Sequence, residues 1–136
     1  MESAWSLKPH TSSLNTHMRD HRKLRAFELA DNLVLLVYSI TKTFPKDEQF
    51  SLTSQVRRAA VSIASNIVEG CARQSQADYV RFLDMALGSA REVEYQLTIA
   101  QRLGYMRADT AREVTQQADE TARVLAGLLR SLRSKA

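Results

Sequence analysis

One segment of the sequence carries an uninterrupted heptad pattern, and this pattern limits the fold more than any other feature. Small or apolar residues recur at alternating steps of four and three: Tyr79, Leu83, Ala86, Ala90, Val93, Leu97 and Ala100. This spacing places them along one side of an α-helix and does not fit the two-residue alternation of a half-buried strand. Ser75 and Asp78 precede the pattern in a capping-box arrangement, and Gly104 follows it. We therefore predict a long helix whose alanines permit close helix approach.

Three further segments show the same helical period. The first spans Asp20 to Thr43 and stops at Phe44-Pro45, because proline cannot continue a helix. We expect the second to begin after Ser51 as its N-cap and to end at Gly70 in the left-handed conformation. Its core-facing positions, or seam, are Leu52, Val56, Ala59, Ile63 and Asn66. The last is expected to begin between Arg107 and Thr110, with a seam at Val114, Ala118, Thr121, Leu125, Leu128 and Leu132.

Four segments of about 20–28 residues, joined by short connections, predict a simple architecture. Short connections make consecutive helices antiparallel neighbours, and four rods with one apolar stripe each bury those stripes best as an up-down-up-down bundle. With four Gly and two Pro in 136 residues, the composition fits long helices better than turn-rich sheets. We therefore expect an all-α chain, with an N-terminal tail at residues 1–17 and one antiparallel four-helix bundle domain at residues 18–136.

The apolar stripes of the first and third helices are wider than one bundle core requires. The extra residues on the first helix are Leu29, Leu33, Leu36 and Ile40, and those on the third are Phe82, Met85, Leu87 and Ile99. Apolar surface left outside a core is typical of interaction sites. We therefore expect a homo-oligomer.

Several functional classes are disfavoured by what the sequence lacks. Cys71 is the only cysteine, so it forms no intrachain disulfide and no multi-cysteine metal site, and we expect a cytoplasmic protein. The histidines His10, His17 and His21 precede or open the first helix and cannot converge on ligands inside a bundle. No apolar run reaches the roughly 20 residues that span a bilayer. We predict no metal, no cofactor, no membrane partner and no small-molecule substrate.

A group of polar residues interrupts the apolar second and third helices: Arg57, Arg58, Asn66, Glu69, Ser89, Glu92 and Glu94. Two carboxylates such as Glu69 and Glu92 are able to act as general acid and base, which is the hypothesis of an enzyme. The alternative is a structural polar belt, in which Arg57 or Arg58 pairs with Glu92 or Glu94 and fixes helix register. We favour the structural interpretation and predict no catalytic residue, because polar groups in bundle cores are mostly satisfied by their neighbours.

Basic residues gather at the start of the first helix and at the end of the last, two positions that an up-down bundle places side by side. We call this set the basic rim; it comprises Arg19, Arg22, Lys23, Arg25, Arg123, Arg130, Arg133 and Lys135. Because Lys and Arg neutralise phosphates, the rim predicts a nucleic-acid-binding surface, in line with a net charge of +4. The alternative is that these charges are solvated and oppose the helix dipole, since no RNA-binding motif accompanies them.

The second and third helices carry a long ordered set of residues that is more specific than a short motif. It consists of residues 52–70 (LTSQVRRAAVSIASNIVEG), Phe82-Leu83, residues 86–96 (ALGSAREVEYQ) and Leu103-Gly-Tyr105, with Met18 to Leu24 and Phe44-Pro45-Lys46 adding to it. This set closely resembles the four-helix bundle proteins encoded within intervening sequences of bacterial 23S rRNA genes. The resemblance covers about residues 18–106, and the polar-belt residues and Gly70 fall on recurring positions of that family. Arg107 and residues 1–17 depart from it.

The resemblance implies a homopentameric ring with RNA or ribosomal partners and without enzymatic activity. Our leading hypothesis is therefore a non-enzymatic, oligomeric four-helix bundle that binds RNA or a ribonucleoprotein through the basic rim. The alternative is a protein-interaction scaffold that uses the apolar surface of helices one and three.

Overall fold

Four α-helices account for most of residues 19–135, the part of the chain that the computed structural model describes. They are α1 (Arg25–Thr41), α2 (Leu52–Cys71), α3 (Gln76–Arg102) and α4 (Ala108–Ser134). Short 3₁₀ turns at His21–Lys23 and Lys46–Glu48 precede α1 and α2, and residues 19–135 contain no β-strand. The all-α prediction is confirmed for this part of the chain, whereas the predicted tail at residues 1–17 lies outside it.

Helix α3 begins and ends as its sequence predicts. The hydroxyl of Ser75 accepts the backbone N–H of Asp78 at 3.1 Å, which caps the first turn. At the other end Gly104 adopts a φ of 77°, and its N–H donates to the carbonyl of Gln101 at 3.0 Å. The N–H of Tyr105 donates to the carbonyl of Ala100 at 2.9 Å, which completes a Schellman motif. Helix α4 then starts at Ala108, within the predicted interval.

The start of α2 is predicted correctly, but the capping of both its ends is not. Ser51 occupies the N-cap position, but its side chain makes no cap bond; its hydroxyl donates to Oε1 of Glu48 at 2.7 Å, and the same oxygen accepts the N–H of Leu52 at 3.3 Å. Gly70 is not a left-handed stop, because α2 continues through it to Cys71. A glycine is needed there for space: a Cβ atom on Gly70 would lie 2.9 Å from the Cβ atom of Phe82 on α3.

Helix α1 is shorter than predicted. Asp20 starts a 3₁₀ turn instead of the helix, since its Oδ1 atom accepts the N–H of Arg22 at 3.0 Å. The α-helical hydrogen bonding begins at Arg25 and ends at Thr41, two residues before the predicted end.

The four helices surround one apolar core. Each helix packs against the next in sequence, and α4 packs against α1. All seven predicted seam positions of α3 are buried, from Tyr79 to Ala100. On α2, Asn66 is half-buried and Ile67 takes the core position beside it; on α4, Leu129 is buried in place of the predicted Leu128.

The expected surplus of apolar surface exists, but of the eight residues predicted to form it only Met85 is exposed. Leu29, Leu33 and Ile40 of α1 belong to the core instead of the surface. The exposed apolar side chains are Leu35 and Tyr38 on α1, Val61 and Val68 on α2, Met85 and Tyr95 on α3, and Phe50 and Leu103 beside helix ends. Within residues 19–135, no helix combines the length and the apolar character that crossing a membrane requires.

Candidate nucleic-acid interface

The two halves of the basic rim lie close together. The Nη2 atom of Arg25, at the start of α1, lies 3.0 Å from Oε2 of Glu120, at the middle of α4. At the end of α4, the guanidinium of Arg133 contacts the carboxylate of Asp84 in the first half of α3. The middle of α4 therefore contacts the start of α1, and the end of α4 contacts the first half of α3.

Arg19 attaches the segment before α1 to the same region. Its Nη1 atom donates to the carbonyl of Arg73, between α2 and α3, at 2.8 Å, and its guanidinium lies 4.0 Å from the ring centroid of Tyr79. Burial raises the pKa of Tyr79 to about 12 and also raises the pKa of the neighbouring Cys71 thiol. Because Cys71 is 2% exposed and disfavours its thiolate, it is a packing residue and not a nucleophile.

Most arginines of the basic rim are paired with carboxylates. The pairs are Arg22 with Asp20, Arg25 with Glu28 and Glu120, Arg123 with Asp119, and Arg133 with Asp84. The pair of Arg22 and Asp20 is bidentate, with Nε 2.9 Å from Oδ1 and Nη2 3.1 Å from Oδ2 of Asp20. These hydrogen bonds hold the pKa of Asp20 below its usual value. Five carboxylates thus neutralise much of the charge that the sequence places at the rim.

The rim is nevertheless open to solvent. The side chain of Arg22 is 77% exposed and that of Arg123 is 68% exposed. Lys23, Arg130 and Lys135 are exposed and form no salt bridge with any group in residues 19–135. A polyanion can therefore reach Arg22, Lys23, Arg123, Arg130 and Lys135. For Arg22 and Arg123 it must compete with the carboxylates that already pair with them.

Sequence reasoning missed these carboxylates, and only some were detectable. Asp119 precedes Arg123 by four residues on one helix face, and Glu28 follows Arg25 by three, so both local pairs follow from helical spacing. The partner Glu120 lies on another helix, and its position depends on helix register that no local pattern specifies.

Part of the predicted polar belt is formed between α2 and α3. The hydroxyls of Ser62 and Ser89 lie 2.9 Å apart, and Nδ2 of Asn66 donates to the carbonyl of Ser62 at 2.9 Å and to its hydroxyl at 3.0 Å. Arg58 and Glu92 line an open groove of ≈ 310 Å³ beside these hydroxyls, together with Gln55, Ala59, Ser62 and Ser89. The groove brings the two charged residues to one surface without a salt bridge between them in the described chain.

The predicted pairing of Arg57 with Glu92 or Glu94 does not form. Arg57 points toward α1, where its Nε atom donates to the Thr41 hydroxyl at 2.8 Å and its guanidinium lies 4.7 Å from the ring centroid of Tyr38. Glu94 pairs with Arg91 on its own helix at 2.8 Å. The reason is helical rotation, since each residue step turns the side chain by about 100° and places neighbours on different faces.

Glu69, the other carboxylate of the enzyme hypothesis, is 3.1 Å from Arg73 in a salt bridge one turn along the chain. Glu92 has an amide neighbour instead: Nε2 of Gln96 lies 3.5 Å from its Oε2 atom. The two carboxylates therefore make separate contacts and do not form an acid–base pair. Across the described residues, His, Cys, Asp and Glu form no group of three or more that could hold a metal ion.

Comparison with known proteins links the chain to one family. A family model described as "23S rRNA-intervening sequence protein" matches residues 22–127. A crystal structure of a protein of unknown function from the S23 ribosomal protein family of Bacteroides thetaiotaomicron is similar, with a TM-score of 0.72 and 24% sequence identity over 77% of this chain and 95% of the other. A comparison with curated proteins gives no match. The structural likeness, at this identity, supports the fold alone.

Proposed function

The chain belongs to the 23S rRNA-intervening sequence protein family, and from this premise we propose that it is a non-enzymatic, homo-oligomeric four-helix bundle that binds structured RNA, bare or within a ribonucleoprotein, through the basic rim. The observation that carries the proposal is that two basic segments, distant in sequence, both reach the start of α3, through Arg19 at Arg73 and Tyr79 and through Arg133 at Asp84. Such a cluster of exposed cations attracts the phosphate backbone. The cytoplasm is the compartment that this role requires.

The proposal includes an up-down-up-down arrangement of the bundle. The end of α1 meets the start of α2 through Thr41 and Arg57, and the end of α2 meets the start of α3 through Gly70 and Phe82. An antiparallel order of all four helices gathers the basic residues at one pole, which increases their combined attraction for a polyanion.

Assembly into a ring, a homopentamer by family resemblance, multiplies this attraction. Each added subunit repeats the basic rim, so that one RNA engages several rims at a high effective concentration. Native mass spectrometry tests this part of the proposal directly, because a strictly monomeric protein across micromolar concentrations contradicts it.

Filter binding against a structured RNA across a salt series tests the RNA proposal. The rim variant Arg22→Gln, Lys23→Gln, Arg130→Gln removes three rim charges. The control variant Lys42→Gln, Lys46→Gln, Arg102→Gln removes the same charge from exposed residues beside the other ends of α1, α2 and α3.

For the wild type we expect affinity to fall steeply with salt, with a log–log slope of about 0.7–0.9 per phosphate contact. The rim variant should lose affinity and about two units of this slope, whereas the control variant should keep a slope close to that of the wild type. Binding that is indifferent to salt, or that falls equally in both variants, contradicts the proposal.

The exposed apolar residues favour one alternative, a protein-interaction scaffold. Leu35 is 67% exposed and Tyr95 is 62% exposed, on α1 and α3, the two helices whose surface the sequence singles out. A pull-down that recovers a protein partner after nuclease treatment, and loses it in Leu35→Ser and Tyr95→Ser variants, supports this function over RNA binding.

A further inference from the structure

The carboxylates at the basic rim occupy the same guanidinium groups that an RNA would use. Asp84 holds Arg133, Glu120 holds Arg25, and Asp119 lies 3.0 Å from Arg123. These carboxylates come from the middle of α4 and the first half of α3, so two of the three pairs join different helices.

A carboxylate and a phosphate compete for arginine by the same chemistry. Both offer two oxygen atoms to the planar fork of N–H donors, and both bonds are charge-assisted. The two-pronged pair of Arg22 with Asp20 shows this geometry at the rim itself. An arginine bound to a carboxylate therefore adds little attraction for a phosphate until the carboxylate is displaced.

The competition discriminates between anions of different valency. A single phosphate that displaces one carboxylate exchanges one ion pair for a similar one and gains little. An RNA displaces several carboxylates in one binding event, because its phosphates are linked and the second contact forms at high effective concentration. Exposure makes the exchange accessible, since the partner side chains Glu120, Asp119 and Asp84 are 43%, 48% and 46% exposed.

We propose that Asp84, Asp119 and Glu120 form an intramolecular acidic mask over the basic rim, which rejects isolated phosphates and admits only RNA with several closely spaced phosphates. This inference rests on the proposed function, because it states how the same rim selects its ligand. The mask also explains why the rim carries much less net charge than its arginines suggest.

The test compares the unmasked variant Asp84→Asn, Glu120→Gln with the control variant Asp47→Asn, Glu113→Gln. Both variants change the net charge by the same amount and keep the side-chain shapes. Asp47 and Glu113 are exposed residues on the 3₁₀ turn before α2 and near the start of α4, without a salt bridge in the described chain. The probes are an RNA hairpin and, separately, inorganic phosphate as a competitor.

We expect the unmasked variant to bind the hairpin roughly tenfold more tightly and to steepen the salt slope by about one unit, because Arg133 loses its carboxylate partner and Arg25 keeps only Glu28. Inorganic phosphate should compete with the hairpin at lower concentration in the unmasked variant than in the wild type. The control variant should change affinity slightly and leave the slope unaltered.

The variant Asp119→Asn guards against a folding artefact, because its main partner Arg123 is on the same helix at 3.0 Å and its contact with Arg91 on α3 is longer, at 4.0 Å. It should steepen the salt slope by about one unit with unchanged helical circular dichroism. If the wild type binds RNA with a steep salt slope but the unmasked variants match the control, the mask is refuted and the proposed function stands. If neither the wild type nor any variant binds RNA in a salt-dependent manner, both the mask and the proposed function are refuted.

Discussion

Replacing Gly70 by alanine tests how closely α2 and α3 approach each other. The new Cβ atom would lie 2.9 Å from Cβ of Phe82 and 3.4 Å from both Cδ1 and the carbonyl oxygen of Tyr79. Carbon atoms in contact prefer separations of about 3.5–4.0 Å. The nearest atom belongs to the base of a side chain and cannot rotate away, so the two helix backbones must separate locally.

The expected effect is the sum of two opposing contributions. Overpacking a filled interface costs about 1–3 kcal/mol, and separating the helices also loosens the hydrogen-bonded pair of Ser62 and Ser89 further along the interface. Alanine in place of glycine within a helix stabilises by about 0.8–1 kcal/mol, and less near the helix end where Gly70 lies. We therefore expect Gly70→Ala to lower the free energy of unfolding by about 1–2 kcal/mol.

The matched control is Gly88→Ala, in the interior of α3. A Cβ atom on Gly88 meets nothing within 4 Å, so only the helix preference remains and the variant should gain about 0.8–1 kcal/mol. Urea denaturation followed by helical circular dichroism measures both, at one fixed protein concentration because the proposed oligomerisation would couple stability to concentration. With an m-value of about 2 kcal/mol/M, Gly70→Ala should lower the midpoint by roughly 0.5–1 M. If both variants stabilise the protein equally, close helix approach at Gly70 is not the constraint described above.

Two further substitutions probe polar contacts between elements. The hydroxyl of Tyr105 donates to Oε2 of Glu48 at 2.7 Å and is the main cause of the lowered pKa of that carboxyl. A carboxyl with a lowered pKa stabilises the fold above its ordinary value of 4.5, and this stabilisation is lost as the pH falls through the lowered value. Tyr105→Phe should therefore lower the free energy of unfolding at pH 7, and the difference in this free energy between variant and wild type should shrink in acid. Unfolding curves at pH 7 and in acid measure this difference, and a difference that does not depend on pH contradicts the prediction. Thr41→Val removes the buried acceptor of Arg57 and should cost about 1–2 kcal/mol, whereas Thr43→Val, at an exposed position, should change the urea midpoint little; equal effects of the two would show that the Arg57 contact adds nothing.

The core was predictable from the sequence wherever the heptad pattern is unbroken. All seven seam positions of α3 were correctly predicted, because its alternation of four and three residues continues along most of the helix. On α2 and α4 the prediction slipped by one residue near the helix end, to Asn66 instead of Ile67 and to Leu128 instead of Leu129. A straight helix drifts by about 20° per heptad relative to a seven-residue repeat, so an extrapolated seam leaves the core after a few turns.

Polar contacts were less predictable than the core. The sequence correctly suggested that α2 and α3 share polar residues, and Ser62 does bond to Ser89. It did not reveal that Arg57 reaches α1 instead of α3, because that choice depends on which neighbouring helix each side of α2 meets. The capping of α2 by Glu48 instead of Ser51 likewise depends on the path of the preceding loop.

Buried and exposed polar pairs differ in whether the proposed RNA ligand could replace one partner of the pair. Exposed ion pairs contribute about 0.2–1 kcal/mol each, which is small beside a total stability of about 5–15 kcal/mol. The rim pairs Arg25 with Glu120 and Arg133 with Asp84 are of this kind, since all four side chains are between 43% and 58% exposed. Phosphates can therefore replace these carboxylates while the fold remains intact. The bond from Arg57 to Thr41, a residue that is 3% exposed, cannot be exchanged in the same way.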